Sequence, residues 1–269
     1  MNLPDTKTLL LSFERGVLRI TLNRPQVRNA LNFEMVGELE AVFAACIENR
    51  SVRAIVLRGA GGHFCAGGDL KEMMAGGLKA PAPGEPDPVV AFSRRFGTML
   101  RTVGRIPAVV IAVCEGSVLA GGFGFACVSD IALAHHDAKF GVPETTRGLP
   151  PAQIAPFIVE RIGLTAARRL CLTGAQFSGV EALRLGLVHE GFGDEAELAT
   201  KLDATLAQVL NCGPLANEMT KEIILNVARQ DMDAVLDDAA VKFAQAVRGS
   251  EAPEGIGAFM QKRKPKWAQ

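Results

Sequence analysis

The most informative parts of this chain are two segments, HFCAGGDL at 63–70 and EGSVLAGGFG at 115–124. Each follows an apolar, strand-like run, at 54–57 and at 108–113, and each carries paired glycines where a helix can begin. Glycine permits a sharp turn and leaves its backbone N–H unshielded, and the first N–H groups of a helix have no internal partner. Two such donors that converge on a carbonyl oxygen stabilise an enolate-like anion. The two segments therefore predict an enzyme with an oxyanion hole.

The composition excludes several classes of protein. The 269 residues include 29 basic and 29 acidic ones, so the formal net charge of zero provides no field that attracts nucleic acid or an anionic membrane. Uninterrupted apolar runs are far shorter than the roughly 20 residues of a bilayer span, and the starting MNLPDTK lacks the pattern of a secretory signal. The 6 cysteines and 4 histidines show no metal-ligand spacing. We therefore expect reduced thiols, no metal site and a cytoplasmic location.

Hydrophobic periodicity predicts alternating strands and helices. Strand-like runs at 9–13 and 17–22 predict a hairpin, and Asn32 can cap a helix whose apolar positions recur at helical spacing. Strand and helix signals alternate to about residue 190, which is typical of an α/β fold with a largely parallel sheet. After Asp194 only helices are predicted, at about 195–211, 214–229, 231–248 and 250–260.

This pattern divides the chain into a core domain at 1–194 and a helical region at 195–269. An amphipathic helical tail with more than one apolar side needs another surface to cover it, so we expect oligomerisation. The segment 75–88 is rich in Gly, Pro and Ala, and it is predicted to be a mobile loop.

Five ordered motifs resemble those of the crotonase superfamily, which contains the enoyl-CoA hydratases and isomerases. They are NRP (23–25) with NAL (29–31), FCAGGDL (64–70), the Gly-rich run after Val113, FGVPE (140–144) and EGIGAF (254–259). The resemblance covers nearly the whole chain. It implies an acyl-CoA substrate, an α/β spiral of ββα repeats, and a C-terminal helical trimerisation region. It also implies a homotrimer or a dimer of trimers, and no cofactor apart from the coenzyme A of the substrate.

The resemblance also assigns roles to individual residues. It makes the backbone N–H groups of Gly68 and Gly121 the two oxyanion donors. Phe259 and Lys262 would close over the nucleotide, either within the chain or from a neighbouring subunit. Arg28 and Lys262 suit phosphate as cationic donors, although both could equally be solvated surface charges. Five residues are placed near the adenine and pantetheine: Arg28, Ala30, Ala66, Asp69 and Leu70.

The acid-base residues depart from the family pattern. Crotonase-type hydratases hold a water between two glutamates, and the second of these matches Glu144. At the position of the first, this chain has Gly124, which cannot transfer a proton. Glu144 is therefore the predicted catalytic residue, and enclosure by neighbours such as Val142 and Leu149 would raise its pKa. Glu115 is a candidate replacement, but its place before a glycine turn favours a structural role.

A single glutamate leaves more than one function open. A hydratase would use Glu144 to take a proton from water and to return one to the α-carbon. An isomerase would use it to move a proton between carbons 2 and 4 without water. The oxyanion hole serves both reactions. A non-catalytic acyl-CoA-binding or scaffold protein is a third possibility, although Glu144 together with both glycines favours chemistry.

The segment GLPPAQIAPFIVERIG at 148–163 resembles the subgroup of isohexenylglutaconyl-CoA hydratases. This resemblance implies a branched, 3-substituted glutaconyl-CoA substrate with a distal carboxylate. Small residues at Gly124 and Ala152 would leave room for the branch. Arg147 is a candidate to bind the carboxylate, because its planar fork suits one, but an ordinary ion pair with Glu144 or a surface acid is an equal alternative. Gln153 could hydrogen-bond the substrate, a water or the backbone.

Overall fold

The computed structural model describes residues 3–75, 81–82 and 84–269 as an α/β fold. Its strands are β1 (Leu9–Glu14), β2 (Val17–Leu22), β3 (Ala54–Gly59), β4 (Val109–Cys114), β5 (Ser117–Leu119), β6 (Ile131–His135), β7 (Lys139–Gly141), β8 (Gln176–Ser178) and β9 (Glu190–Phe192). Its α-helices are α1 (Phe33–Glu48), α2 (Leu70–Ala75), α3 (Pro88–Val103), α4 (Gly121–Val128), α5 (Ala155–Thr173), α6 (Gly179–Arg184), α7 (Glu195–Asn211), α8 (Pro214–Asn226), α9 (Met232–Arg248) and α10 (Glu251–Met260).

The strands form two sheets. The large sheet has the order β1-β2-β3-β4-β6-β9, and the small sheet has the order β5-β7-β8. In the large sheet the hairpin β1–β2 is antiparallel and every later pair is parallel. Strands that follow each other along the chain alternate between the sheets. Strands β4 and β6 belong to the large sheet, and the strands that follow them, β5 and β7, belong to the small one. The predicted hairpin, the parallel sheet and the ββα spiral are confirmed.

Both faces of the large sheet are covered, as parallel strands require. Alternate residues of β3 show this, because Ile55 and Leu57 enter one apolar core while Ala54 and Val56 enter the other. The first core lies under helices that include α1, whose N-cap Asn32 accepts a hydrogen bond from the Met35 N–H at 3.0 Å as predicted. The second core lies under α7. The sheet is therefore buried on both faces, and it positions the segments that leave its strand ends.

The helical C-terminal region begins where the sequence predicts it. Helix α7 buries Leu198, Leu202 and Leu206 against the large sheet. Helix α8 contacts the strand starts, where Lys221 Nζ donates to the carbonyl of Ile106 at 2.8 Å and pairs with Asp130 at 2.7 Å. The region thus reaches the amino-terminal edge of the parallel strands. The division of domains at residue 194 stays a prediction.

Large apolar side chains on α8–α10 are exposed in the single chain. They are Leu215, Ile224, Met232, Leu236, Val241, Phe243, Val247, Ile256, Phe259 and Met260. The predicted loop at 75–88 lies partly outside the described residues, which resume at 81–82 and at 84 before α3 begins at Pro88. None of the described helices has the length and apolar composition needed to cross a membrane.

Candidate active site

Backbone hydrogen bonds join the two glycine segments side by side. The Cys65 N–H donates to the Ser117 carbonyl at 2.8 Å, and the Leu119 N–H donates to the Cys65 carbonyl at 2.9 Å. The Phe64 N–H also donates to the Glu115 carbonyl at 2.8 Å. Both segments follow carboxyl ends of neighbouring strands, β3 and β4, which is where open parallel sheets usually bind ligands. These bonds fix the register of one segment against the other.

The N–H of Gly68 points away from Leu31, the residue to which the backbone on either side of Gly68 is hydrogen-bonded. On either side of it, the Gly67 carbonyl accepts from the Leu31 N–H at 2.7 Å, and the Asp69 N–H donates to the Leu31 carbonyl at 2.8 Å. Because alternate backbone groups of an extended segment point to opposite sides, the Gly68 N–H points away from Leu31. No acceptor for it lies among the residues that the structure describes. Gly121 is the first residue of α4, so its N–H has no partner within the helix.

The two donor segments are in contact. A methyl group on Gly67 would lie 2.6 Å from Cβ of Ala120 and 3.6 Å from the N atom of Gly121. Ala120, at φ 49° and ψ −116°, has a backbone conformation that L-residues rarely adopt, and its N–H donates to the Gly141 carbonyl at 3.1 Å. Such strain persists only where the surroundings impose it, and it is found mainly at functional sites. Here it sets the turn that presents the Gly121 N–H.

The small sheet brings Glu144 to the same side as Gly121. Leu119 of β5 is paired with Gly141 of β7, and the strands are parallel. Gly121 lies two residues beyond the end of β5, and Glu144 lies three residues beyond the end of β7, in a 3-10 helix at Pro143–Arg147. Both groups therefore leave the sheet at the same edge, which is the arrangement that the predicted mechanism requires.

The carboxyl group of Glu144 is held in a poorly solvated position. Its Oε2 atom is buried and has no hydrogen-bond partner within the described chain. Burial raises the pKa of Glu144, while its own backbone N–H and the charge of Arg147 act in the opposite direction. Of the two expected neighbours, Val142 is buried, but Leu149 is 45 % exposed. A buried, unpartnered carboxyl group is an available proton acceptor or donor.

Comparison with known proteins identifies the family. The family model described as enoyl-CoA hydratase/isomerase matches residues 12–269. The chain belongs to the crotonase superfamily. Its structure is similar to that of Pseudomonas aeruginosa AtuE, with a TM-score of 0.93 and 55 % identity, covering 98 % of this chain and 100 % of that one. An enoyl-CoA hydratase/isomerase from Marinobacter aquaeolei gives a TM-score of 0.94 and 51 % identity, covering 97 % and 99 % of the two chains.

A human relative extends this similarity to curated sequences. The mitochondrial enoyl-CoA hydratase domain-containing protein 2 of Homo sapiens is 34 % identical over 259 residues, covering 94 % of this chain and 86 % of its own length. The chain is thus an enzyme of the enoyl-CoA hydratase type, with the crotonase fold that the motifs predicted.

In this crotonase, other side chains occupy the space beside Gly124, the position where the hydratase pattern has its first glutamate. Gly124 is buried on α4, and a methyl group there would lie 2.8 Å from Cγ2 of Ile154 and 3.0 Å from Cδ1 of Leu100. The expectation that Gly124 leaves free room for the acyl branch is therefore wrong. Ile154 belongs to the 148–163 segment, so the unusual segment itself occupies the space beside the glycine. Ala152, the other small residue, is exposed.

Gly124→Ala is expected to lower the free energy of unfolding by about 1–3 kcal/mol, because overpacking a rigid core forces its neighbours to move. The matched control is Gly104→Ala, whose methyl would lie 3.6 Å from its nearest neighbour, an ordinary contact. In the Gly124→Ala background, Ile154→Ala should destabilise less than it does alone. Urea unfolding of the wild type and the three variants of this cycle measures the coupling, and additive losses would contradict the packing of Ile154 on Gly124.

The residues assigned to the nucleotide end lie near the Gly68 segment. Arg28 is exposed at φ 52°, and its carbonyl accepts from the Ala66 N–H at 3.0 Å. Asp69 forms an ion pair with Arg24 at 3.0 Å, so its carboxylate supports the turn. Ala30 is buried, and Leu70 is 43 % exposed. The structure therefore brings these five predicted residues to one rim.

Phe259 and Lys262 are not brought to that rim within the chain. Glu251, at the start of α10, accepts from the Leu215 N–H at 2.9 Å, and Trp267 Nε1 donates to the Asn211 carbonyl at 3.0 Å. These contacts hold α10 beside the ends of α7 and α8, at the opposite edge of the sheet. Phe259 is 84 % exposed and Lys262 is exposed. Closure over the nucleotide of their own chain is therefore wrong, and closure over that of a neighbouring subunit stays a prediction.

Glu115 has the structural role that the sequence favoured. Arg58 donates to both of its oxygens, at 2.6 and 3.0 Å, and also to both oxygens of Glu195, at 2.8 and 2.6 Å. Arg58 thus ties the second glycine segment to α7. Neither Arg58 nor Phe96 was predicted from the sequence. The Cζ atom of Phe96 would lie 3.0 Å from a methyl group on Gly121. A long-range ion pair or packing contact leaves no local sequence signal.

Proposed function

We propose that this crotonase is an enoyl-CoA hydratase that adds water across the 2,3 double bond of an acyl-CoA. The observation that carries the proposal is the buried, unpartnered Oε2 of Glu144 at the sheet edge that also presents Gly121. Burial moves the pKa of this carboxyl group toward neutral pH, which suits proton transfer beside a thioester.

In the proposed reaction, Glu144 removes a proton from water while the water oxygen bonds to carbon 3. The electron pair of the double bond moves toward the thioester, whose oxygen becomes an enolate held by the N–H groups of Gly68 and Gly121. Glu144 then returns a proton to carbon 2. One carboxyl group serves both transfers, so no second glutamate is needed.

The substrate is proposed to be a branched, 3-substituted glutaconyl-CoA such as isohexenylglutaconyl-CoA, as in the breakdown of acyclic terpenes. The resemblance of the 148–163 segment to that subgroup supports this. So does the packing of Ile154 on Gly124, because it gives the unusual segment a defined place beside the site. No cofactor besides the coenzyme A of the substrate is proposed.

A homotrimer or a dimer of trimers is proposed for the assembly. The exposed apolar side chains of α8–α10 support an interface, because patches of this kind are normally covered. A neighbouring copy would also bring Phe259 and Lys262 to the nucleotide, which their own chain cannot do.

Isomerisation is the second candidate, and the filled space at Gly124 favours it. An apolar Ile154 in place of a carboxylate leaves fewer groups to bind water, whereas moving a proton between carbons 2 and 4 needs Glu144 alone. The same oxyanion hole would stabilise the dienolate of that reaction.

Incubation with 2-enoyl-CoA, 3-enoyl-CoA and 3-branched glutaconyl-CoA tests the proposal. We expect the conjugated absorbance of the glutaconyl thioester to fall and the product mass to rise by one water. An unchanged mass with a shifted double bond would identify an isomerase instead. Binding of all three thioesters without turnover would support the scaffold alternative and overturn the proposal.

A further inference from the structure

Helix α3 contains a glycine whose missing side chain makes room for a polar group. Gly97 lies in the interior of the helix, where glycine is about 1 kcal/mol less favourable than alanine. The place that a methyl group would take is already occupied by Oε1 of Gln153. Gln153 Nε2 donates to Oγ of Ser93 at 3.2 Å, one turn earlier on the same face. The absence of a side chain at Gly97 thus allows the Gln153 carboxamide to pack directly on α3.

A cation without an acidic partner lies beside this carboxamide. Nη1 of Arg94 is 3.3 Å from the methyl position of Gly97, and it donates to Oγ1 of Thr98 at 3.0 Å. No carboxylate of the described residues lies within 4 Å of Arg94, whereas its neighbour Arg95 is paired with Glu40. A guanidinium, a hydroxyl and an amide NH₂ together provide more donors than the cluster has acceptors. Such a set suits an anion.

The cluster lies next to the oxyanion hole. Phe96, three residues after Ser93, packs on Gly121, and Ile154, directly after Gln153, packs on Gly124. Ser93 and Phe96 are separated along the helix axis by roughly 5 Å, about the length of a short acyl chain. An acyl group whose thioester oxygen lies at Gly121 and which extends along α3 would therefore bring its far end to the cluster.

We propose that Ser93, Arg94 and Gln153 form a subsite for a carboxylate at the far end of the acyl chain. This inference rests on the proposed acyl-CoA function and names the residues that select its substrate. It differs from the assignment of that carboxylate to Arg147. Arg147 is exposed at the end of the 3-10 helix, and its charge acts on Glu144, where a substrate carboxylate would lie beside the catalytic one. Arg94 is also exposed, but it lies in the donor-rich cluster on α3, beside Gly97 and Thr98.

Binding of saturated thioesters tests the subsite without any turnover. Glutaryl-CoA carries a distal carboxylate and butyryl-CoA does not, and neither has a double bond to hydrate. By isothermal titration calorimetry, we expect the wild-type enzyme to bind glutaryl-CoA about tenfold more tightly, as charge-assisted hydrogen bonds of this number predict. Arg94→Gln should remove this preference and leave the Kd of butyryl-CoA within about twofold. Ser93→Ala should reduce the preference by about two- to threefold.

Arg147→Gln is the matched control, since it removes the same charge from the competing position. A preference retained in Arg94→Gln would overturn the inference, as would a preference lost in Arg147→Gln alone or a wild-type enzyme without any preference. If Arg94→Gln weakened both ligands equally, Ser93→Ala would decide, and an unchanged preference there would also overturn it. Failure of the hydratase proposal is distinguishable, because it would appear as absent turnover with the binding preference retained.

Discussion

Replacing Glu144 by glutamine is expected to lower kcat for hydration by about 10³-fold, the usual contribution of a general acid-base group. Glutamine keeps the size of the side chain but can neither accept nor return the proton. The oxyanion donors are backbone groups and stay in place, so the Kd of a saturated acyl-CoA should change little. Steady-state kinetics with titration calorimetry checks both expectations. A variant that keeps full activity would contradict the assignment of Glu144 as the base.

The raised pKa of Glu144 gives the activity of the wild-type enzyme a characteristic pH dependence. As a base, Glu144 must be ionised, so kcat/KM of the wild-type enzyme should fall on the acid side as the pH drops through that raised pKa.

The effect on stability has the opposite direction. At a pH between the unfolded and folded pKa values, the folded state binds the proton more strongly, so stability decreases as the pH rises through the folded pKa. Glu144→Gln should therefore have a larger free energy of unfolding than the wild type at pH 7. This difference should disappear at about pH 3, well below the ordinary glutamate pKa of 4.5, where the carboxyl is protonated in both states. Urea unfolding at several pH values measures it, and an equal difference at all pH values would exclude the buried carboxylate as its cause.

Gly67→Ala is expected to lower kcat by about 10²-fold or more, because small displacements of catalytic groups have effects of this size. The added methyl would lie 2.6 Å from Cβ of Ala120, and Gly67 has φ 97°, which alanine rarely adopts. The two glycine segments would have to separate, which moves the N–H of Gly68 relative to that of Gly121. Binding of the coenzyme A portion should be weakened much less than kcat.

Gly62→Ala is the control for backbone strain in this experiment. Gly62 has a similar positive φ of 73° in the same loop, but a methyl group there would have no neighbour within 4 Å. Its unfolding free energy should fall by about 1 kcal/mol while kcat stays near that of the wild type. Equal losses of kcat in both variants would show that strain in the loop, rather than contact between the segments, controls catalysis.

Local sequence signals were sufficient for most of the fold. Side-chain periodicity predicted the β1–β2 hairpin, the Asn32-capped helix and the start of the helical tail, because each depends on neighbours a few residues away. The resemblance of the ordered motifs to the crotonase superfamily assigned Gly68, Gly121 and Glu144 to one site. Local sequence accounts for the turns and strand ends that carry them, but not for their proximity. The structural role of Glu115 was also favoured by its position before a glycine turn.

Contacts between distant segments decided the rest. Three features each depend on two elements that only the packed fold brings together. They are the packing of Ile154 against Gly124, the strained turn at Ala120 and the packing of Gln153 against Gly97. The separation of Phe259 from its own nucleotide rim depends in the same way on where the tail packs. The sequence by itself determined which groups are candidates for the chemistry, because residue type and local conformation set those. Tertiary structure determined how much space surrounds them, because packing is a property of the whole core.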